Sequence, residues 1–149
     1  MAQIRHLAFA SDHPGKAADF YKSAFGFREL RRWGLDPEKP DVAPPGSGVL
    51  MTDGHLNIAL LRFSTDQVGF GPDHRGFHHF GVVVDDTQAW TPRLEALGAP
   101  NLTGPEDVPP NAHFEIKFRG PDGVVFDISD TVWPGAAPVE PGTTTFPAE

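Results

Sequence analysis

Gly76 to Asp86 reads Gly-Phe-His-His-Phe-Gly-Val-Val-Val-Asp-Asp, and it is the second copy of a pattern first met at Ile4 to Asp12, Ile-Arg-His-Leu-Ala-Phe-Ala-Ser-Asp. With His6 aligned over His79, a histidine opens a short apolar strand in each copy. A small residue follows two positions later (Ala8, Gly81), and an acid closes the strand (Asp12, Asp85). Side chains alternate faces along a strand, so His6, Ala8 and Ala10 share one side while Leu7 and Phe9 share the other. In the second copy His79 and Gly81 point one way and Phe80, Val82 and Val84 the other, the face expected to pack on a helix. Each copy thus offers a histidine with room beside it.

Composition narrows what such a repeat can serve. The chain has 149 residues, 39% of them hydrophobic, which suits one domain with a real core. It has no cysteine, which excludes a disulfide framework, thiolate catalysis and thiolate-bound zinc. The formal net charge is −8 with the acids dispersed, which disfavours tracking of nucleic-acid phosphates. No apolar run of about 18 residues occurs, and the N-terminus lacks a basic-then-apolar leader pattern, so the expectation is a cytoplasmic protein with no membrane partner.

Outward from the two strands the order of elements repeats. After Asp12-His13-Pro14-Gly15, with Asp12 expected to cap, Ala17, Phe20, Tyr21, Ala24 and Phe25 fall at helical spacing and Gly26 stops the helix. Phe27 to Trp33 reads as a strand, Gly34 to Gly48 as a long loop, and Val49 to Thr52 with His55 to Phe63 as a hairpin around Asp53-Gly54. Ser64 to Arg75 is a linker. The second unit has its strand at His79, a helix from about Thr87 to Leu97 capped by Asp85 or Asp86, and Pro92 expected near its first turn. A short strand near Pro100 to Thr103 follows, then a loop from Gly104 to Asn111. His113 to Arg119 and Val124 to Ser129 form a last hairpin around Asp122-Gly123. Module one is therefore residues 1–63, the linker 64–75, module two 76–130, and a Pro- and Gly-rich tail fills 131–149, laid on a surface or disordered.

Strand, helix, three strands, twice over, resembles the vicinal oxygen chelate superfamily, which includes glyoxalase I, extradiol dioxygenases, fosfomycin and bleomycin resistance proteins and methylmalonyl-CoA epimerase. The resemblance runs from about Ile4 to Ser129, and Phe77 to Asp86 and Gly120 to Ile128 carry it most specifically. It implies an α+β fold in which two βαβββ modules pair into an open, cup-shaped mixed sheet, and a homodimer, with the site formed within one chain or by module exchange. It also implies metal ligands on the first and last strands of each module: His6, His79 and Asp127, the last where most relatives carry glutamate. Strand parity agrees, since Val125, Asp127 and Ser129 share a face. The fourth position falls at Asn57 or Ala59, neither a good ligand.

Two histidines and one carboxylate with open positions suit a non-haem iron(II) oxygenase, and the same set suits manganese(II) or zinc(II) with exchangeable sites. The leading expectation is accordingly a metal-dependent enzyme, iron(II) placed ahead of the other two, acting on a small molecule whose adjacent oxygens chelate the ion. The missing fourth ligand counts against the isomerase branch. The alternatives are a metal-free, bleomycin-sequestering type of binding protein, a fosfomycin-resistance type of transferase, and a glyoxalase-like lyase. His113 and His55 are the candidate proton carriers. The single tyrosine, Tyr21, faces the core, which disfavours a catechol-opening mechanism, and only Lys117 and Arg119 stand near enough to hold a phosphonate. For each histidine alone the simpler reading is structural. His78, on the opposite parity from His79, reads as packing or surface, and Asp127 could instead pair with Arg5 or Arg119.

Overall fold

The computed structural model describes residues 2–104 and 115–131. Among the described residues seven strands and two α-helices follow in chain order: β1 (Ala2–Ala10), α1 (Pro14–Phe25), β2 (Arg28–Trp33), β3 (Gly48–Thr52), β4 (Asn57–Leu61), β5 (Gly76–Val84), α2 (Thr87–Ala96), β6 (Ile116–Arg119) and β7 (Val125–Ser129). The strands form one mixed sheet in the order β2-β3-β4-β1-β5-β7-β6. The fold is the expected α+β arrangement: each module lays its helix on one face of its own strands, and the modules join edge to edge through β1 and β5.

Burial follows the alternation. Ala18 of α1 packs with Val49, Met51 and Leu60, flanked by Phe9, Tyr21 and Ile58. The second helix packs through Trp90 and Leu94 on Val82, Val84, Phe118 and Ile128. The opposite, helix-free face of module one carries Ala8, Leu50 and Ala59 with Leu30, Trp33 and Leu61. Phe20 and Phe25, which share the spacing of the buried α1 residues, remain exposed.

Several local expectations are corrected. Asp12 does not cap α1, whose N-cap is His13 without a side-chain hydrogen bond; its carboxylate instead pairs with both Arg62 and Arg75. Asp86 does cap α2, accepting from the N–H groups of Gln88 and Ala89, while Asp85 accepts from Trp90 Nε1. Pro92 lies inside α2 rather than in its first turn, so the carbonyl one turn earlier loses a donor. Pro100 to Thr103 contributes a single bridge, Asn101 to Phe118, and no strand. The loop 105–111 and the tail from 132 lie outside the described residues.

The seam between modules decides the site. Its strands run antiparallel, with His6 opposite Gly81 and Ala8 opposite His79, so exchanging the two strands exchanges the two histidines. The register slips twice, between Ile4 and His6 on β1 and between Phe77 and His79 on β5. Arg5 is the extra residue of the first bulge and His78 of the second, and these two positions exchange as well. A bulge sets two residues against one and breaks the alternation of faces. Arg5 therefore joins His6, and His78 joins His79, contrary to the parity argument that placed His78 on the opposite side.

Candidate metal centre

At the seam the imidazoles of His6 and His79 approach with Nε2 atoms 3.2 Å apart. Asp127 Oδ2 lies 3.0 Å from His79 Nε2 and 3.8 Å from His6 Nε2. Pairing geometry explains the meeting: Asp127 sits opposite Gly81 on the parallel neighbour β7, and Gly81 sits opposite His6. A Cβ built on Gly81 would come within 2.1 Å of His6 Cε1 and 2.7 Å of Asp127 Oδ1. Only glycine leaves room for both side chains.

Glu115, which the sequence reading missed, is the fourth member: one donor atom from each of His6, His79, Glu115 and Asp127 falls within a 4.8 Å span. Its signal was present, because alternation from Lys117 toward His113 puts it on their face. The resemblance points instead to β4. The registers show why β4 is empty. Ala8 pairs with Ala59 as Gly81 pairs with Asp127, so the counterpart of Asp127 in module one is Ala59, which has no donor to give. Asn57, opposite His6, is buried.

The electrostatics are those of donors held out of water. Both carboxylate oxygens of Asp127 are buried and make no well-aligned hydrogen bond, although His79 Nε2, the Lys117 ammonium and the Glu115 carboxyl all lie close. Burial, then the charge of Glu115, pushes the Asp127 carboxyl up to about 7. Burial holds His6 down to about 4, and burial with the charge of Lys117 holds His79 down to about 3. Two cations flank the cluster. Arg5 reaches the Glu115 carboxylate and donates from Nε to His6 Nδ1 at 3.0 Å. Lys117 Nζ lies 3.5 Å from Asp127 Oδ2 and 3.7 Å from Glu115. Arg119 is engaged elsewhere, donating to the Val68 carbonyl and lying over Phe70.

The donor set fits a divalent ion. Donors about 2.1 Å from a common centre stand about 3.0 Å apart at right angles and about 3.4 Å apart at the tetrahedral angle, close to the spacings among His6, His79 and Asp127. Imidazole nitrogen with carboxylate oxygen suits zinc, iron and manganese alike. Of the two candidate proton carriers, His55 lies in the exposed β3–β4 turn, its N–H bonded to Asp53, and is not brought to the cluster. His113 lies outside the described residues.

Beside the centre, a pocket of about 250 Å³ opens between the ends of β1 and β4 and the linker. His78 lines it, with Arg62, Phe63, Phe70, His74 and Arg75 among its neighbours. The His78 ring stacks on Phe63 with centroids 4.0 Å apart, and its Nδ1 lies 2.7 Å from His79 Nδ1. Pocket and metal-ligating candidates thus meet through two adjacent imidazoles.

Comparison with known proteins gives this arrangement its place. The chain is 26% identical over 127 residues to a probable lactoylglutathione lyase, chloroplastic, of Arabidopsis thaliana; the match covers 85% of this chain but only 35% of that protein, so the chain spans about a third of the relative's length. Among solved structures, a Streptomyces coelicolor methylmalonyl-CoA epimerase in complex with 2-nitronate-propionyl-CoA superposes with a TM-score of 0.61 at 18% identity, covering 85% of this chain and 94% of that one. A hypothetical protein from Bacillus halodurans gives 0.63 at 16% identity, covering 89% and 96%. At such identities the structural matches establish shared architecture alone. The family model for the Glyoxalase/Bleomycin resistance protein/Dioxygenase superfamily matches residues 3–128, nearly all of the described chain, and to that superfamily the chain belongs.

Proposed function

We propose that the chain is a metal-dependent enzyme acting on a small molecule with adjacent oxygens, in which His6, His79 and Asp127, joined by Glu115, hold a divalent ion. The observation that carries this reading is the convergence of donors out of water: two imidazole nitrogens and an Asp127 carboxylate oxygen, all buried, stand 3.0 to 3.8 Å from one another with the Glu115 carboxylate in the same cluster. When bound, such an ion acts as a Lewis acid that stabilises negative charge on a substrate oxygen. The chain's own residues do the rest. Glu115, paired with Arg5 and Lys117, would be the donor that comes off the ion to take a proton from a carbon next to that oxygen. Lys117 offsets the charge of two adjacent carboxylates, and the Gly81 gap keeps His6 and Asp127 in contact.

This favours proton-transfer chemistry of the lyase and isomerase kind, with the four-donor set answering the earlier objection that a fourth ligand is missing. A dioxygenase reading with iron(II) keeps one observation in its favour. Glu115 is already paired with Arg5, which leaves His6, His79 and Asp127 as a two-histidine, one-carboxylate set.

The test is anaerobic binding of manganese(II), zinc(II) and iron(II) to the wild type and to His79→Ala, followed by assays with lactoylglutathione and methylmalonyl-CoA as first substrates. Stoichiometric binding lost in the variant, with solvent deuterium entering a substrate, supports the proton-transfer reading. Oxygen uptake only with iron would move the assignment to the oxygenase. A wild type that binds none of the three ions refutes the metal centre.

A further inference from the structure

Resting on the metal-centre reading above, the geometry points to a second role for the two bulge residues: Arg5 and His78 set the tautomers of His6 and His79, and they set them in opposite senses. A guanidinium has N–H groups and no acceptor. Arg5 Nε, 3.0 Å from His6 Nδ1, must therefore donate, which requires a lone pair on Nδ1. A neutral imidazole carries one N–H, so that of His6 is on Nε2. From there it reaches His79 Nε2 at 3.2 Å, which accepts, since Asp127 Oδ2, 3.0 Å from the same nitrogen, is not aligned to take a hydrogen bond from it. The His79 proton is then on Nδ1, where it is donated to His78 Nδ1 at 2.7 Å, and the chain ends with the N–H of His78 on Nε2, in the ring that lines the pocket. One residue that can only donate thus fixes the direction of every bond that follows.

The consequence differs for the two histidines. His79 already presents an Nε2 lone pair, with its Nδ1–H held by an acceptor, the arrangement that a ligating histidine needs. His6 presents an N–H at the same place. To coordinate through Nε2 it must exchange that proton for one on Nδ1, with no net gain or loss, and Arg5 must withdraw from Nδ1. Arg5 has somewhere to go, since its guanidinium already reaches Glu115. His78 is accordingly a positioning residue that favours metal binding, and Arg5 is a latch that opposes it until displaced.

The experiment has two arms. In metal-free wild type, nitrogen-15 shifts of the histidine rings should show His6 as the Nε2–H tautomer and His79 as the Nδ1–H tautomer. Arg5→Gln, whose amide oxygen can accept, should move His6 to Nδ1–H, whereas Arg5→Lys, still only a donor, should leave it unchanged. In the second arm manganese(II) affinity is measured by calorimetry. Arg5→Gln should tighten binding about tenfold and His78→Phe, which keeps the stack on Phe63, should weaken it between about 10- and 100-fold, the range for groups that orient ligands. A wild-type His6 found as Nδ1–H overturns the proposal without any variant needing to fold. So does equal or weaker binding by a folded Arg5→Gln. A wild type that shows the stated tautomers yet binds no manganese would instead defeat the metal centre and leave the tautomer assignment standing.

Discussion

The two strand openings, Arg5-His6 on β1 and His78-His79 on β5, occupy equivalent positions across the seam and have the same backbone irregularity. They differ in one side chain. Where module two has an imidazole that can accept, module one has a guanidinium that cannot. A repeat that looks symmetric in its backbone is therefore polarised in its hydrogen bonds. The same asymmetry recurs one strand out, where Asp127 stands opposite Gly81 and Ala59 opposite Ala8. Module two supplies three of the four candidate donors, and module one supplies His6 alone.

Substitutions that exchange the halves should probe this difference most strongly. Gly81→Ala puts a methyl within 2.1 Å of the His6 ring and 2.7 Å of Asp127. We expect loss of metal binding and destabilisation by about 3 kcal/mol, the upper end of ordinary overpacking. Its counterpart, Ala8→Gly, should cost only about 1 kcal/mol through backbone freedom and leave the site intact. Denaturant titration with metal binding reads both, and equal effects from the two would break the comparison.

The pH dependence of the metal-free protein comes next. Against an ordinary 6.5, His6 is held to about 4 and His78 and His79 to about 3, all three chiefly by burial. Folded-state values below the unfolded ones mean that the unfolded chain takes up protons first as pH falls. The histidines' contribution is thus fully present above about pH 6.5 and lost toward 4 and 3. Asp127, raised by burial and by Glu115 from 3.8 to about 7, acts the other way: the unfolded chain loses that proton first as pH rises, so stability declines between about 4 and 7. Asp127→Asn removes the opposing part. Its urea midpoint should rise more steeply between about pH 4.5 and 6.5 than that of the wild type, and a parallel rise would show that Asp127 is ionised throughout.

Smaller effects are expected from charges outside the donor set. Lys117→Met removes the ammonium 3.5 Å from Asp127, and metal affinity should rise about tenfold, or about 1.4 kcal/mol. Weaker binding would instead make Lys117 a support for the carboxylates. Least of all, Asp12→Ala deletes a half-exposed carboxylate shared by Arg62 and Arg75. A surface pair of this kind is worth about 1 kcal/mol or less, and the melting temperature should shift by no more than a few degrees. The equivalent acid, Asp85, holds the indole of Trp90 instead, so Asp85→Ala should also change tryptophan fluorescence.

Much of this was legible before the structure. The repeat and the alternation of faces pointed to the α+β class, and the resemblance to the superfamily singled out His6, His79 and Asp127 as a group. The missed residues share a cause. Arg5 and His78 lie at bulges, and a bulge moves every parity argument by one position, yet neither Ile-Arg-His nor Phe-His-His contains the glycine or proline that would announce one. Glu115 escaped because the resemblance puts the fourth ligand at Asn57 or Ala59, whereas this donor comes from the other module. His55 was placed near the site by its strand, but the hairpin turn carries it to the exposed end.

The seam also sets when the site can exist. His6 lies near the start of the described chain and Asp127 near its end, and β1 must add both a parallel partner and the opposite module before they meet. Contacts between such distant segments are the slowest to form, because the chain between them must first lose its freedom. On the ribosome, an emerging first half would display His6 with nothing to complete it. Assembly of the four donors is therefore a late event in folding, and a signal from them reports that both halves of the chain have been made and have closed on each other.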